Sequence, residues 1–387
     1  MAKTYTLFGM AGSLYTAKVR SYLRQQGIDF IERPAGDLEF IQRIVPQIGR
    51  WIIPVVEAPG GDVLQDGTAI LDHFESSGEA RSSVFPNNAV LRAVAHVFEL
   101  FGGEGLLRPA MHYRWSFDDE NLNFIRDVFR DALPFGRSDD ERATMFEFSS
   151  GRMRQAANFF GVVDETKSTI EASYKDFLSR LNAHFDAYPF LLGSAPTIGD
   201  FALMGPLYAH MGRDPVPLRL MQTDAPRVFR WTERMNAPER ILDETARLSE
   251  ATPIDPEALP ETLISLLSFV AEDYLPELSA HVAFANQWLD ARPDLAVGTN
   301  GLEDPAARSI GKAAFEWRGH QIETAVMPYR FWLLQRLHAV VDHATEPDRR
   351  TIGELFARTG LAPLLELRTS RRVERAGFLE VWGDVVA

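Results

Sequence analysis

The apolar positions of the first eighty residues change their period several times, and each change marks an element. Tyr5 to Met10 is a short β run, and Ala11-Gly12-Ser13-Leu14 is a turn into a segment whose Tyr15, Val19, Tyr22 and Leu23 recur at helical spacing. Gly27 is the expected stop of that helix, since glycine enters the left-handed region without steric cost. Ile28 to Glu32 reads as a second strand, and Asp37 as the cap of a helix bearing Leu38, Ile41, Val45 and Ile48. From Trp51 to Glu75 the chain reads as a hairpin and a helix. An apolar run broken by Pro54 leads to the turn Pro59-Gly60-Gly61-Asp62 and a second short run, then to a helix carrying Ala69, Ile70, Leu71 and Phe74. Proline cannot donate to a sheet ladder. Either its strand lies at an edge, with the trans bond that composition favours, or the Ile53-Pro54 bond serves something other than pairing. A backbone edge left open there suits a peptide-like ligand. Asp66 is placed to cap the helix that follows, whose free N–H groups would take an anion. Strand, helix, strand, helix, hairpin and helix together predict a small α/β layer with a mixed sheet.

From Val90 onward the period is helical. Val90, Leu91, Val94, Phe98 and Phe101 form an apolar stripe, and the register is lost after Gly102-Gly103. Pro109 to Arg154 reads as helical pieces interrupted at Pro134 and Gly136. The clearest helix runs from about Ser168 to Ala187, burying Ile170, Tyr174, Phe177, Leu181 and Phe185. Thr197-Ile198-Gly199-Asp200 has the form of a capping box with Asp in the acidic place, ahead of a deeply apolar helix with Phe201, Leu203, Leu207 and Tyr208. Thr252 to Pro260, with three prolines, reads as a linker. Beyond it the pattern predicts helices at Glu261 to Glu272, Leu275 to Asp290 and Tyr329 to His343, with a hairpin in Phe315 to Met327 turning at Arg318-Gly319. The expected parts are residues 1–80, 88–247 and a mostly helical 253–387.

A net charge of −14 over 387 residues argues against nucleic acid and anionic membrane as partners, because an acidic surface repels both. With no apolar run of membrane-spanning length and no secretory leader, the sequence reads as soluble and cytoplasmic. Cysteine is absent. That removes disulfides, thiolate metal sites and a cysteine nucleophile, so any thiol chemistry must use a ligand's sulfur. No metal is expected.

Several motifs in order carry a resemblance. The strand Tyr5 to Met10, Ser13-Leu14-Tyr15-Thr16-Ala17-Lys18-Val19-Arg20, Ile53-Pro54-Val55-Val56, Asp66-Gly67-Thr68-Ala69-Ile70, Thr197-Ile198-Gly199-Asp200 and Asp224-Ala225-Pro226-Arg227-Val228-Phe229-Arg230-Trp231 together resemble a bacterial cytosolic glutathione S-transferase of the serine type. The resemblance covers roughly residues 4 to 240. It implies a thioredoxin-like N-terminal domain and an all-helical second domain, in a detoxifying transferase. The last third of the chain matches no part of the usual pattern.

The resemblance implies that Ser13 touches the glutathione sulfur. Lowering a thiol pKa of about 8.5–9 by two units takes about 2.7 kcal/mol, within reach of one hydrogen bond to a charged acceptor plus a helix N-terminus. The bland alternative is that Ser13 only caps its helix. The resemblance also implies a cis Pro54 that exposes Ile53 to the cysteinyl backbone, and an Asp66 that receives the γ-glutamyl amine while the helix start holds the adjoining carboxylate. Here the chain departs from the family, which usually has Ser or Thr directly after the acid. Gly67 offers only an N–H, and Thr68 comes one step later. Arg50 or Trp51 is the candidate for the glycyl carboxylate, with surface or packing roles as the alternative.

An apolar electrophile is expected between the domains, against Tyr15, His112, Tyr113 and Trp115, although aromatic residues at helical spacing more often form core. In the tail, Trp317, His320, Tyr329, Trp332 and Arg336 make a polar-aromatic set, read either as a hairpin-helix contact or as a second ligand site. The family's usual homodimer joins the N-terminal domain of one subunit to the helices of the other, an interface the extra third would block or replace. The sequence thus supports a glutathione transferase or, on Gly67 and the long extension, a transferase-like scaffold without catalysis. A glutathione-dependent isomerase or dehalogenase is a third reading.

Overall fold

In the computed structural model, residues 4–130, 132–133, 137–238 and 253–386 are described. Four strands, β1 Tyr5–Gly9, β2 Phe30–Pro34, β3 Val55–Glu57 and β4 Val63–Gln65, form one mixed sheet in the order β2-β1-β3-β4, parallel between β1 and β2 and antiparallel elsewhere. Helix α1, Leu14–Gln26, follows β1 and stops at Gly27, whose φ of 64° is the left-handed cap expected of it. Ile53-Pro54 is cis. The edge-strand reading of Pro54 is corrected. β3 is an inner strand, and Pro54 stands just before it, where no ladder hydrogen bond is lost.

The helix expected after Asp37 also differs. Phe40–Ile44 winds as a π-helical turn into α2, Val45–Ile48. Wider winding puts Phe40, Ile44 and Ile48 inward and leaves Leu38 and Ile41 exposed. A second π turn, Phe101–Gly105, follows α4, Ala89–Leu100, which explains the register lost at Gly102-Gly103. Gly102 is required there: a Cβ would lie 2.6 Å from the Leu203 amide nitrogen.

The helical layer continues with α5 Leu107–Trp115, α6 Asp118–Arg130, α7 Asp139–Asn158, α8 Lys167–Ala187, α9 Ile198–Ala209, α10 Pro215–Asp224 and α11 Pro226–Asn236. Pro134, Gly136 and the boundary near 247 lie outside the described residues. Asp200 is wholly buried and accepts from the amides of Thr197 at 2.8 Å and Leu191 at 3.0 Å and from Trp231 Nε1 at 3.2 Å. Burial pushes its pKa up to about 6, and these donors hold it down.

The expected linker docks instead, with Ile254 buried and its amide bonded to Leu192 O. The two helices expected next are one, α12, Glu261–Asp290, running through Pro276. It is followed by the hairpin β5 Gly311–Trp317 and β6 His320–Val326, turning at Arg318 and Gly319 with φ of 47° and 83°. Then come α13 Pro328–His343, α14 Glu346–Thr359 and a hairpin that the sequence reading missed, β7 Arg371–Ala376 with β8 Leu379–Val385. The Gln335 amide group holds β7 by bonding both the N–H and the C=O of Val373, at 2.8 and 2.9 Å. One continuous apolar core includes Leu7 and Val56 of the sheet domain, Phe98 and Trp231 of the helical layer, and Leu267, Phe331 and Trp382 of the extension. Among the described residues no helix is long and apolar enough to cross a membrane.

A buried charge cluster locks α13 in place. Arg330 bonds Glu104 at 3.0 Å and Glu277 at 2.6 Å, and Arg108 bonds the other Glu277 oxygen. Arg330 also donates to His281 Nδ1 at 3.0 Å, which leaves His281 Nε2–H to donate to Thr324 Oγ1 at 2.8 Å. Two arginines face two glutamates around a neutral imidazole. Burial pushes the His281 pKa down to about 3, with Arg330 adding to the fall.

Candidate active site

Two cavities meet at Ile53. The first is narrow and polar, with room for about 20 Å³, and is lined by Tyr15, Arg50, Ile52, Ile53, Pro54, Gln65, Asp66, Gly67, Arg308, Tyr329 and Glu380. The second is apolar and larger, about 340 Å³, between the sheet domain and α6–α7; Met10, Trp51, Ile53, Phe129, Met145 and Phe148 are among its walls. Trp51, Phe148 and Met153 are 45%, 56% and 39% exposed there, large apolar groups that solvent does not favour and an apolar ligand would cover.

Asp66 forms the floor of the polar cavity. Its φ is 86°, and Oδ1 accepts the N–H groups of Thr68 and Ala69 at 3.0 Å, capping α3, Gly67–Ser77. Thr68 turns away from the cavity. Its hydroxyl is fully buried and bonded to Lys18 Nζ at 2.8 Å, Glu99 at 3.2 Å and Tyr329 at 3.3 Å, which ties the start of α3 to α1, α4 and α13. Arg50 and Trp51 part company: Arg50 points into the polar cavity beside Asp66, whereas Trp51 lines the apolar one and donates to Ala35 O at 3.1 Å.

Ser13 is the N-cap of α1, its Oγ accepting the Thr16 amide at 3.2 Å. It lines neither cavity directly. Met10 on one side opens on the apolar cavity and Tyr15 on the other lines the polar one, so the turn carrying Ser13 lies between them. Arg114, fully buried, anchors that turn. It pairs with Asp214 through two bonds of 2.8 Å and donates to Gly12 O at 2.9 Å. A Cβ on Gly12 would lie 2.5 Å from Val128 Cγ1, so only glycine fits against α6. Sequence reasoning missed Arg114 and Asp214, which lie 100 positions apart and are brought together only by the fold.

The expected electrophile pocket is not assembled. His112 is buried, bonds Glu171 at 3.1 Å, and packs against Tyr113 and Phe117. Its pKa is lowered, chiefly by burial. Trp115 packs on Phe129 and under Arg154. Tyr15 is therefore separated from the other three, because their rings serve the core of the helical layer. The tail's polar-aromatic set also splits. Trp317 donates to Asp273 O and His320 bonds Thr169, while Tyr329, Trp332 and Arg336 face the sheet domain and α4. Among the described residues no group of three or more His, Asp or Glu side chains is arranged to hold a metal.

Sheet, capped α3 and helical layer define a thioredoxin-like domain joined to a helical transferase domain. Residues 7–82 match the family model for the glutathione S-transferase N-terminal domain, and residues 156–234 that for the C-terminal domain. These two segments are similar to the two domains of a glutathione S-transferase. No curated protein matches it. Among solved structures, the β-etherase LigF of Sphingobium is 17% identical with a TM-score of 0.44, covering 65% of this chain and 99% of its own. A Ceriporiopsis subvermispora glutathione S-transferase in complex with glutathione is 16% identical with a TM-score of 0.38, covering 63% and 100%. One from Methylobacterium radiotolerans, in complex with glutathione sulfonate, is 18% identical with a TM-score of 0.35, covering 60% and 91%.

Proposed function

We propose that the protein is a glutathione transferase acting on an apolar electrophile. The observation that carries this reading is the meeting of a polar and an apolar cavity at Ile53, beside the cis Pro54. The γ-glutamyl end lies over Asp66 and Gly67, the cysteinyl backbone runs along Ile53, and the electrophile enters between Met10, Trp51, Phe129 and Phe148. Ser13 Oγ accepts from Thr16, which leaves its O–H proton free to donate to the thiolate. The thiolate sulfur attacks an electrophilic carbon, forming a C–S bond while the bond to the leaving group breaks and carries off its electron pair. The gains come from thiolate population and proximity.

Calorimetric titration with reduced glutathione and an S-alkyl glutathione tests this reading. Saturable binding of both, with the S-alkyl group adding affinity, is expected; no heat with either at several temperatures overturns it. The narrowness of the polar cavity favours the second reading, a scaffold whose extension has filled the glutathione site. A stable protein that binds neither ligand is the outcome that reading requires.

A further inference from the structure

Two arginines converge on the polar cavity with hydrogen-bonding capacity unspent. Arg50, whose side chain is 10% exposed, has Nε and Nη1 buried without a partner. Arg308 comes from the extension, in the loop ahead of β5, and its Nε is likewise buried and unpartnered. Leaving charged donors unmatched in a dry site is costly unless an anion arrives. The carboxylates already present are committed. Asp66 Oδ1 caps α3. Glu380 gives one oxygen to Arg375 at 2.6 Å and reaches Arg50 with the other only at 3.4 Å. The remaining link from Arg50 Nη2 runs to Phe378 O, in the turn between β7 and β8. Burial lowers the Arg50 pKa, Glu380 opposes that, and Arg308 adds to the fall, as expected of two cations facing one another.

We propose that Arg308 and Arg50 form a two-arginine seat at the start of α3 for the α-carboxylate of a γ-glutamyl ligand, with Arg308 supplied from the C-terminal extension of the same chain. This rests on the glutathione reading above and assigns the extension a part in the binding site. Asp66 takes the ammonium of the same γ-glutamyl group, so the seat recognises a zwitterion by opposite charges side by side. A cavity of 20 Å³ holds about one water, so the ligand carboxylate enters by displacing Glu380 from Arg50. The exchange is carboxylate for carboxylate, and net charge around Arg50 is conserved. The β7–β8 hairpin gates the seat through Glu380 and Phe378.

The experiment is calorimetry on the full chain as wild type, Arg308→Gln, Arg308→Lys and Glu380→Gln. The ligands are glutathione, its glycyl ethyl ester, and the analogue with hydrogen in place of the γ-glutamyl α-carboxylate. Arg308→Gln should weaken glutathione and the ester at least tenfold, and Arg308→Lys less. The decarboxylated analogue should bind wild type and Arg308→Gln alike. Glu380→Gln, which removes the competing charge, should tighten glutathione several-fold and stands as the independent variant if Arg308→Gln does not fold. Equal glutathione affinity in wild type and Arg308→Gln overturns this proposal and leaves the transferase reading intact, as does an equal loss for the decarboxylated analogue. Weaker binding by Glu380→Gln also overturns it. Failure of wild type to bind glutathione at all overturns both.

Discussion

Arg336 of the extension holds Asp72 of the sheet domain in a two-bond pair, 2.6 and 2.9 Å long, and its Nε reaches Glu99 of α4 at 3.1 Å. One guanidinium therefore ties together three parts of the chain. α13 packs along α4, and with Arg336 fixed to α3 the extension covers the face formed by these two helices. Glu99 is 1% exposed and is shared by Arg336, Lys18 at 3.5 Å and His96 at 2.8 Å. Despite burial, which opposes it, Arg336 and Lys18 hold the Glu99 pKa far below the carboxylate range.

Arg336→Ala leaves Glu99 short of its strongest partner in a buried site. The expected loss is about 3 kcal/mol, since removing one member of a buried pair strands the other. Urea unfolding measures it, and a change below about 1 kcal/mol would show that the pair is not what docks α13. Because the extension covers this face, light scattering of the wild type should give the mass of one chain, 43.5 kDa, rather than that of the family dimer.

Stability should fall on acidification in two stages. Burial depresses His184 to about 4 and His281 to about 3. Unfolded histidine binds its proton near pH 6.5, so stability present above that value is lost as pH falls toward these folded values. Glu277 is depressed to about 2, by Arg330 and Arg108 against the effect of burial. Its contribution is present above about pH 4.3 and is lost as pH falls through about 2. Asp200, raised to about 6, runs the other way, favouring the fold as pH falls from 6 to 4, and burial raises Asp214 and Glu104 in the same direction; against these three carboxylates stand five histidines that burial lowers, His112, His184, His210, His281 and His338. Melting temperature by calorimetry from pH 8 to pH 3 should decline from about pH 6.5 and steepen below about 4.3. A flat profile down to pH 4 contradicts the neutral, buried histidines.

Ser13→Ala should have two separable effects. Loss of the cap on α1 lowers stability by about 1 kcal/mol. Loss of the donor to sulfur raises the bound thiol pKa by roughly a unit or two, read from the ultraviolet absorbance of the thiolate against pH. Ser13→Gly separates them, because glycine caps almost as well and donates nothing. An unchanged thiolate titration in both variants removes Ser13 from the chemistry.

Gly67→Ser should be a gain. The Cβ position at Gly67 has nothing nearer than 3.6 Å, so the side chain enters without strain. A hydroxyl beside Asp66 restores the donor usual in the family, worth about 1 kcal/mol or a five-fold lower glutathione Kd. Weaker binding would mean that the carboxylate does not lie over Gly67.

The sequence by itself determined the elements whose signals are local. Gly27 ends α1 in the left-handed conformation that glycine adopts freely, the Tyr5–Gly9 strand follows from a short run of β-forming residues ahead of a turn, and Thr197 with Asp200 caps α9 through contacts three residues apart. Tight turns such as Arg318-Gly319 were legible for the same reason. What failed were inferences that require knowing who packs on whom. Phe40–Ile44 winds wider than an α-helix with Phe40 and Ile44 packed on Phe8 and Val55 of the sheet, Phe101–Gly105 does so with Phe101 against Phe177 and Phe269, and periodicity carries no trace of those partners. Pro276 stays inside α12 because the helix is held along its length by Leu266, Phe269, Leu278 and Val282 in the core. In the site, Pro54, Ile53 and Asp66 were readable because a helix start and a proline advertise themselves in the chain. Arg308 was not: it lies 242 positions from Asp66, and only folding of the extension onto the sheet domain brings the two to one cavity. His112, Tyr113 and Trp115 had the composition of a pocket, but the helical layer closed over their rings and left the open apolar cavity to Met10, Trp51, Phe129 and Phe148.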